Sequence, residues 1–141
     1  MNTRQDRHQR GILDTSALIL FNRLQEVELL PVVSVITTIT LAELSVGPLV
    51  VKSDVERARR VAHLQQVEAS FEPLPFDVDG ARAFGSVAAS LRQAGRKVKA
   101  RRKDAMIAAI ALANDLPVYT CSARDFEGIE GLEVVPVPVP A

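Results

Sequence analysis

Short apolar runs alternate with longer amphipathic stretches along most of this chain. The run over 32–37 is almost wholly β-branched and is the clearest strand. The predicted strands cover 11–13, 32–37, 71–76, 117–121 and 132–135. The apolar spacing between them predicts helices over 16–24, 53–70, 77–91 and 104–114. This alternation predicts a three-layer α/β/α fold around a central parallel sheet of four to five strands.

One more helix is expected after the second strand. Thr40 and Glu43 have the spacing of a capping box, which places Thr40 at the N-cap. Gly47-Pro48 is expected to end or bend this helix. The later helix over 104–114 is apolar nearly all round, so we expect it at the centre of the fold.

The composition fits one globular domain. A chain of 141 residues with 48% hydrophobic content is large enough to bury a core of its own. Residues 1–10 are polar and lack apolar periodicity, so we interpret them as a flexible extension before a single domain over 11–141. The first apolar stretch is interrupted too soon for a membrane span, which predicts a soluble cytoplasmic protein with no membrane partner.

Charge and cysteine content narrow the possible chemistry. The formal net charge is +0, so a nucleic-acid partner would have to be held by a local basic patch. A single cysteine excludes an intramolecular disulfide framework. With only two histidines besides, a zinc cluster of the usual ligand types is disfavoured.

Four acidic residues lie close to points where a predicted strand gives way to a helix. They are Asp14, Glu43, Asp104 and Asp125. Each alone has a structural explanation, because acidic side chains cap helix N-termini and complement the helix dipole. In a parallel sheet, however, such positions converge on the carboxyl edge, where gathered carboxylates repel one another unless protons or cations intervene. Mg²⁺ or Mn²⁺ would satisfy them, since both prefer oxygen ligands and keep positions for water and phosphate.

Other polar residues near these acids have two interpretations each. Ser16 and Thr120 are placed to hold Asp14 or a bound water, or else to satisfy local backbone groups. Asp77 and Asp79 also fall near the carboxyl edge, so position alone does not select the functional acids.

A basic segment without acidic residues runs from Arg92 to Lys103 and ends directly at Asp104. Such a run is either a solvated loop or a guide that leads a polyanion to the neighbouring acids. The candidate RNA-binding residues within it are Arg96, Lys97, Lys99, Arg101, Arg102 and Lys103. Tryptophan is absent, so the sequence gives no strong signal of base stacking.

Four segments in a fixed order carry a resemblance to a known family. They are Ile12-Leu13-Asp14-Thr15-Ser16-Ala17-Leu18, Thr37-Thr38-Ile39-Thr40-Leu41-Ala42-Glu43-Leu44, Asp104-Ala105-Met106-Ile107-Ala108-Ala109, and Val118-Tyr119-Thr120 with Asp125-Phe126. Each segment is short, but their order and spacing are specific. With them the chain resembles the PIN-domain ribonucleases, in particular the VapC-type toxins of bacterial toxin–antitoxin pairs, over nearly its whole length after Arg10.

The resemblance implies a PIN-like, flavodoxin-like parallel sheet and a Mg²⁺- or Mn²⁺-dependent endoribonuclease. It also implies a homodimer that is inhibited by a cognate antitoxin. Asp14, Glu43 and Asp104 take the acidic metal-site roles by motif match, and Ser16 takes a supporting polar role. Many relatives carry Asn or Asp where this chain has Ser122, so Asp125 is expected either to coordinate through water or to cap a turn.

From these residues we hypothesise that water attacks an RNA phosphodiester. Asp14 and Asp104 would anchor Mg²⁺, Glu43 would position or deprotonate the water, and Asp125 would complete the acidic pocket. The segment from Arg96 to Lys103 would hold the RNA backbone, which gives affinity but little sequence choice.

Two rival functions remain open at this point. An aspartate-phosphorylating phosphatase or receiver would use Asp14 as the nucleophile, although Asp14-Thr15-Ser16 lacks the second nearby acid of the phosphatase pattern. A non-catalytic partner-binding domain would use the carboxylates only as helix caps. Hydrolysis of ATP or GTP is disfavoured because the chain has no glycine-rich P-loop.

Overall fold

The computed structural model describes residues 8–24 and 26–140. Five parallel strands form one sheet in the order β3-β2-β1-β4-β5. The strands are β1 (Arg10–Leu13), β2 (Val33–Thr37), β3 (Pro73–Leu74), β4 (Val118–Thr120) and β5 (Val134–Pro136). The α-helices are α1 (Thr15–Ile19), α2 (Thr38–Val50), α3 (Asp54–Ser70), α4 (Val78–Gln93) and α5 (Arg102–Ala113). The predicted three-layer α/β/α architecture is therefore confirmed.

The two faces of the sheet bury separate sets of side chains because successive strand residues point to opposite sides. Ile12, Val35 and Val118 pack against the layer of α4 and α5. On the other face, Leu13, Ile36 and Tyr119 pack with Ala17 and Leu18 of α1 and with Val67 of α3. Both layers thus cover the sheet and leave its carboxyl edge as the open side.

Helix α5 is the central helix that its composition predicts. Its residues Ala105 and Ile107 to Ala111 are all buried, and its small side chains bring it close to α4 and the sheet. It begins at Arg102, so Asp104 lies in its first turn and does not open the helix. That turn faces the carboxyl edge because a crossover helix runs antiparallel to the strands it connects.

The predicted start of the helix after the second strand is wrong. Helix α2 begins at Thr38, and its N-cap is Thr37, whose hydroxyl accepts a hydrogen bond from the Thr40 amide at 3.3 Å. Thr40 is therefore inside the helix, and the capping box with Glu43 does not form. The helix also continues through Gly47-Pro48 to Val50.

Other boundaries differ from the sequence expectations in length. Helix α1 ends at Ile19, and a separate 3₁₀ turn follows over Phe21–Arg23. The third strand is reduced to Pro73–Leu74, since the proline has no amide hydrogen to give to a ladder. The flexible extension was predicted over 1–10, and its first seven residues lie outside the described part of the chain. The carbonyl oxygens of His8 and Gln9 accept hydrogen bonds from the amides of Val32 and Val33. None of the helices in the described ranges is both long and apolar enough to cross a membrane.

Candidate active site

All four predicted acids line one open pocket at the carboxyl edge of the sheet. Asp14 directly follows β1, Glu43 lies on the second turn of α2, and Asp104 lies in the first turn of α5. Asp125 comes from a 3₁₀ turn over Ala123–Phe126 that follows β4. The pocket has a volume of about 500 Å³, and we call it the acid pocket. Its other lining residues are Thr15, Ser16, Ser122 and the segment from Lys99 to Lys103.

Asp14 is held by three hydrogen bonds at the bottom of the acid pocket. Its Oδ1 accepts from the Ser16 hydroxyl at 2.7 Å and from the Ala17 amide at 2.9 Å, which makes it the N-cap of α1. Its Oδ2 accepts from the Thr120 hydroxyl at 2.6 Å. The contacts predicted for Ser16 and Thr120 are thus present, and Asp14 is at once a helix cap and a pocket residue. A carboxylate has about four acceptor positions, so these three bonds leave room for one further ligand.

Glu43 is oriented by Thr15, which the sequence did not single out, and through Thr15 by Thr40, which was expected to pair with Glu43 only in a capping box. The Thr15 hydroxyl donates to Glu43 Oε1 at 3.0 Å and lies 3.0 Å from the Thr40 hydroxyl. Because the single hydroxyl hydrogen of Thr15 goes to Glu43, Thr40 must be the donor to Thr15. The other carboxylate oxygen of Glu43, Oε2, lies 3.8 Å from the Lys103 ammonium. The position of Thr15 next to Asp14 was the available signal, but its partner lies 28 residues away.

The acids interact electrostatically across the pocket. Burial raises the pKa of Asp104 from its ordinary 3.8 to about 6, and the charges of Asp125, Asp14 and Glu43 add to this rise. Burial also raises the pKa of Asp14, although its three hydrogen bonds oppose the shift. Within the described parts of the chain, neither carboxylate has a cationic side chain within ion-pair distance. The four cations that line the pocket, Lys99, Arg101, Arg102 and Lys103, equal its acids in number, but none of them forms an ion pair with Asp14 or Asp104.

The donor set of the acid pocket fits a hard divalent cation. As the side chains stand, no group of three acidic, histidine or cysteine residues within 8–24 and 26–140 is arranged to hold an ion by itself. Magnesium-type ions need fewer protein ligands, because they retain several waters and take one or two carboxylates together with phosphate oxygens. Asp14 and Asp104 satisfy that requirement, and a bound cation would relieve the repulsion that raises the pKa of Asp104.

The basic segment falls into two groups of side chains. Lys99, Arg102 and Lys103 are exposed on the rim of the acid pocket, and Lys97 is exposed outside its lining. Arg96 and Arg101 instead turn inward and contact the chain around Asp125.

Cys121 lies beside Ser16, whose hydroxyl accepts its amide hydrogen at 3.1 Å. Both burial and the Asp14 charge raise the pKa of its thiol. We find no catalytic task for that neutral thiol.

Comparison with known proteins identifies the family. A family model for the PIN domain matches residues 11–131. Ribonuclease VapC5 of Mycobacterium tuberculosis is 38% identical over 129 residues, which cover 90% of this chain and 93% of that protein. Ribonuclease VapC of Rickettsia bellii is 30% identical over 104 residues, which cover 74% of this chain and 76% of the relative.

A solved structure agrees with these relatives. The crystal structure of VapBC-5, a member of the VapBC family of toxin–antitoxin systems from Mycobacterium tuberculosis, superposes with a TM-score of 0.78 at 39% identity. The match covers 92% of this chain and 99% of that one. The chain belongs to the PIN domain family and, within it, to the VapC ribonucleases.

Proposed function

We propose that this protein is a Mg²⁺- or Mn²⁺-dependent endoribonuclease toxin that hydrolyses RNA in the acid pocket and is neutralised by a cognate antitoxin. The observation that carries the proposal is the convergence of four carboxylates from distant parts of a VapC ribonuclease chain on one pocket. A rim of exposed cations beside that pocket suits a polyanionic substrate. Neither rival function explains why both features occur together.

The metal would be held chiefly by Asp14 and Asp104, with Glu43 and Asp125 completing its surroundings. When bound, it supplies a more acidic water and neutralises charge on the phosphate oxygens. Asp14 suits the anchoring role because its three hydrogen bonds fix the carboxylate before any ligand arrives. Asp104 suits it because a nearby positive charge favours the ionised form, which burial and the other acids disfavour.

Glu43 is the group that we assign to the attacking water. Its carboxylate positions the water or accepts its proton, and the Thr15 hydroxyl at 3.0 Å fixes the direction of one carboxylate oxygen. The Lys103 ammonium lies 3.8 Å from the other carboxylate oxygen. Asp14 and Asp104 take no part in this proton transfer.

The RNA backbone would be held by the exposed cations of the rim, Lys99, Arg102 and Lys103, together with the exposed Lys97 outside it. Contacts of this kind go to phosphates, so they supply affinity and salt dependence and little sequence choice. Replacing Lys99 with Gln is expected to weaken RNA binding and to reduce the salt slope by about 1. Equal affinities and equal slopes for the variant and the wild type would contradict this role.

The antitoxin would occupy an apolar groove that begins at the acid pocket. Thr15 and Glu43 line both cavities, and the groove of about 410 Å³ continues along Ile19, Leu44 and His63. Ile19 is 55% exposed, which is unusual for a large apolar side chain on a helix that packs on the core. A segment bound there would lie across the entrance to the acids. The proposal includes two protein partners, which are the cognate antitoxin and a second copy of the toxin in a homodimer.

Antitoxin binding can be tested apart from catalysis with the substitution Ile19→Asp. We expect it to lower antitoxin affinity by about 10-fold to 100-fold, because it places a charge in an apolar contact. The matched control is Val78→Asp, an exposed valine on α4 in the layer that covers the other face of the sheet. Equal antitoxin affinity of the two variants would contradict the assignment of the groove.

The proposed activity is tested by incubating purified, antitoxin-free protein with total RNA and Mg²⁺ or Mn²⁺. Discrete fragments are expected from the wild type and not from Asp14→Asn, Asp104→Asn or an EDTA-treated sample. Cleavage that survives EDTA and both substitutions would contradict the proposal. Folded protein that binds its antitoxin but never cleaves RNA would favour the non-catalytic partner-binding function instead.

A further inference from the structure

We propose that Arg96 and Arg101 form a brace that positions Asp125 at the acid pocket. The brace ties the loop over 122–128 to the segment over 94–101, and it makes both arginines positioning residues for cleavage. This inference rests on the proposed function, because it requires that the Asp125 carboxylate takes part in the reaction and must be placed correctly for it. It departs from the sequence interpretation, in which both arginines contact RNA.

Arg96 binds the backbone on both sides of Asp125. Its Nη1 donates to the carbonyl oxygen of Arg124 at 3.0 Å and to that of Glu127 at 2.9 Å. The same atom lies 3.6 Å from the Glu127 carboxylate. The side chain is only 19% exposed, so most of the guanidinium is withdrawn from an RNA chain passing over the rim. One side chain thereby fixes both ends of the turn that carries Asp125.

Arg101 reaches the acid itself. Its Nη1 lies 3.3 Å from the Asp125 carbonyl oxygen and 3.4 Å from Asp125 Oδ1. These distances are long for hydrogen bonds, so this contact is mainly an ion pair that biases the direction of the carboxylate. On the inner side of the turn, Phe126 is buried in the core. The turn is thus anchored by the core below and by two arginines above.

The two braced segments also pack directly on each other. Gly128 has φ +90, and a Cβ at this position would come within 2.8 Å of the Ala94 Cβ and 3.5 Å of the Arg96 Cδ. Only glycine tolerates both that backbone conformation and that approach. A larger residue at position 128 is therefore expected to push the loop away from the segment while leaving both arginines in the sequence.

A lysine substituted for Arg96 separates bracing from simple charge. It keeps the positive charge that an RNA phosphate would need, but its side chain ends in one ammonium and lacks the planar fork of donors. A brace therefore fails in Arg96→Lys, whereas an electrostatic RNA contact largely survives. The same exchange at the exposed Arg82 of α4, Arg82→Lys, is the matched control.

The experiment measures kcat and KM for RNA cleavage by Arg96→Lys, Asp125→Asn, the double variant and Arg82→Lys. We expect kcat of Arg96→Lys to fall by about 10-fold to 100-fold, since misplacement of a reacting group by about 1 Å has an effect of that size. The double variant is expected to be no slower than Asp125→Asn alone, because without the carboxylate nothing is left to position. Arg82→Lys should match the wild type.

Two further measurements separate the brace from a general loss of folding or of RNA binding. RNA affinity in an Asp14→Asn background, where cleavage is blocked, should be unchanged when the Arg96→Lys substitution is added. Gly128→Ala should reduce kcat in the same way as Arg96→Lys, and both should keep a cooperative thermal transition. A similar loss of kcat in these two folded variants supports the brace even if either variant is slightly less stable than the wild type.

The brace is overturned if Arg96→Lys has the wild-type kcat, if its loss multiplies with that of Asp125→Asn, or if it lowers RNA affinity with kcat unchanged. The proposed function fails separately, and the brace with it, if the wild type shows no metal-dependent cleavage. If the wild type cleaves RNA, Asp14→Asn abolishes cleavage and Arg96→Lys leaves it intact, only the brace proposal is contradicted.

Discussion

The two walls of the acid pocket are built in different ways. The strand wall consists of residues 14–17 and Thr120, and its carboxylate, Asp14, is 4% exposed and held at 2.6 to 2.9 Å by three donors. The loop wall consists of residues 94–103 and 122–128, and its carboxylate, Asp125, has a side chain 48% exposed with a 3.4 Å contact to Arg101. The sheet therefore organises one acid, whereas long-range arginine contacts organise the other.

This difference predicts unequal effects of removing the two charges. We expect Asp14→Asn to lower the rate of RNA cleavage by about 10³-fold or more and Asp125→Asn by about 10²-fold, in the range seen for preorganised catalytic groups. Cleavage of one defined RNA at saturating Mg²⁺ measures both. The melting temperature of Asp14→Asn without metal should not fall, because burial already disfavours the ionised carboxylate. A larger loss for Asp125→Asn would reverse the comparison.

The strand wall is also expected to depend on Thr120 for stability. Thr120→Val keeps the buried volume but removes the donor to Asp14 Oδ2, so we expect a loss of about 2 to 3 kcal/mol in the free energy of unfolding. Urea denaturation of metal-free protein measures this loss. The double variant with Asp14→Asn serves as the control, since the penalty should shrink when the partner carries no charge. A penalty that is undiminished there would mean that the loss comes from the Ser122 amide, which donates to the Thr120 hydroxyl at 2.9 Å.

Three glycines, of which only Gly128 belongs to a wall of the pocket, separate effects on stability from effects on activity. A Cβ on Gly11 of β1 would lie 2.6 Å from the Tyr119 ring, so Gly11→Ala is expected to reduce the free energy of unfolding by about 1 to 3 kcal/mol. Gly85→Ala on α4 meets no atom within 4 Å and should stabilise by about 0.5 to 1 kcal/mol. Gly128→Ala should affect kcat more than stability. Thermal unfolding and cleavage rates, measured on all three variants, check the ranking, and a Gly11→Ala variant as stable as Gly85→Ala would contradict it.

The smallest effect concerns pH. The folded pKa of Asp104, about 6, is above its ordinary 3.8, so its contribution to stability is fully present below pH 3.8 and is lost as the pH rises through 6. The shift corresponds to about 3 kcal/mol at most, and partial solvent exposure reduces it to about 1 kcal/mol. The difference in unfolding free energy between Asp104→Asn and the wild type, both in EDTA, should grow in favour of the variant between pH 4 and pH 7. A constant difference would show that folding does not raise the pKa of Asp104.

The fold and the gathering of acids at the carboxyl edge were predictable from local patterns, whereas the choice of Asp14, Glu43 and Asp104 over Asp77 and Asp79 came from the family resemblance. The β-branched run at 33–37 is stable only in a sheet that other elements cover. The nearly all-apolar helix α5 is stable only at the centre of the fold. Acids that follow strands of a parallel sheet must gather at its carboxyl edge. The spatial order of the strands and the location of Asp125 in the same pocket required the family resemblance or the structure.

What the sequence did not predict depends on contacts between distant residues. Thr37 caps α2 because it is the last residue of β2. Capping preference alone does not distinguish Thr37 from Thr40, whereas the end of the strand does. Arg96 belonged to a uniformly basic run, yet its partners lie 28 and 31 residues further along the chain. No local pattern distinguishes such an arginine from its exposed neighbours.

The most direct test of the central claim, that the acid pocket is a divalent-metal site, is a crystal structure of the protein soaked with Mn²⁺ and recorded with anomalous scattering. We expect an anomalous peak in contact with Asp14 and Asp104, which is lost in crystals of Asp104→Asn. No peak in the pocket at a concentration of Mn²⁺ that supports cleavage, or a peak that survives in the variant, would contradict it.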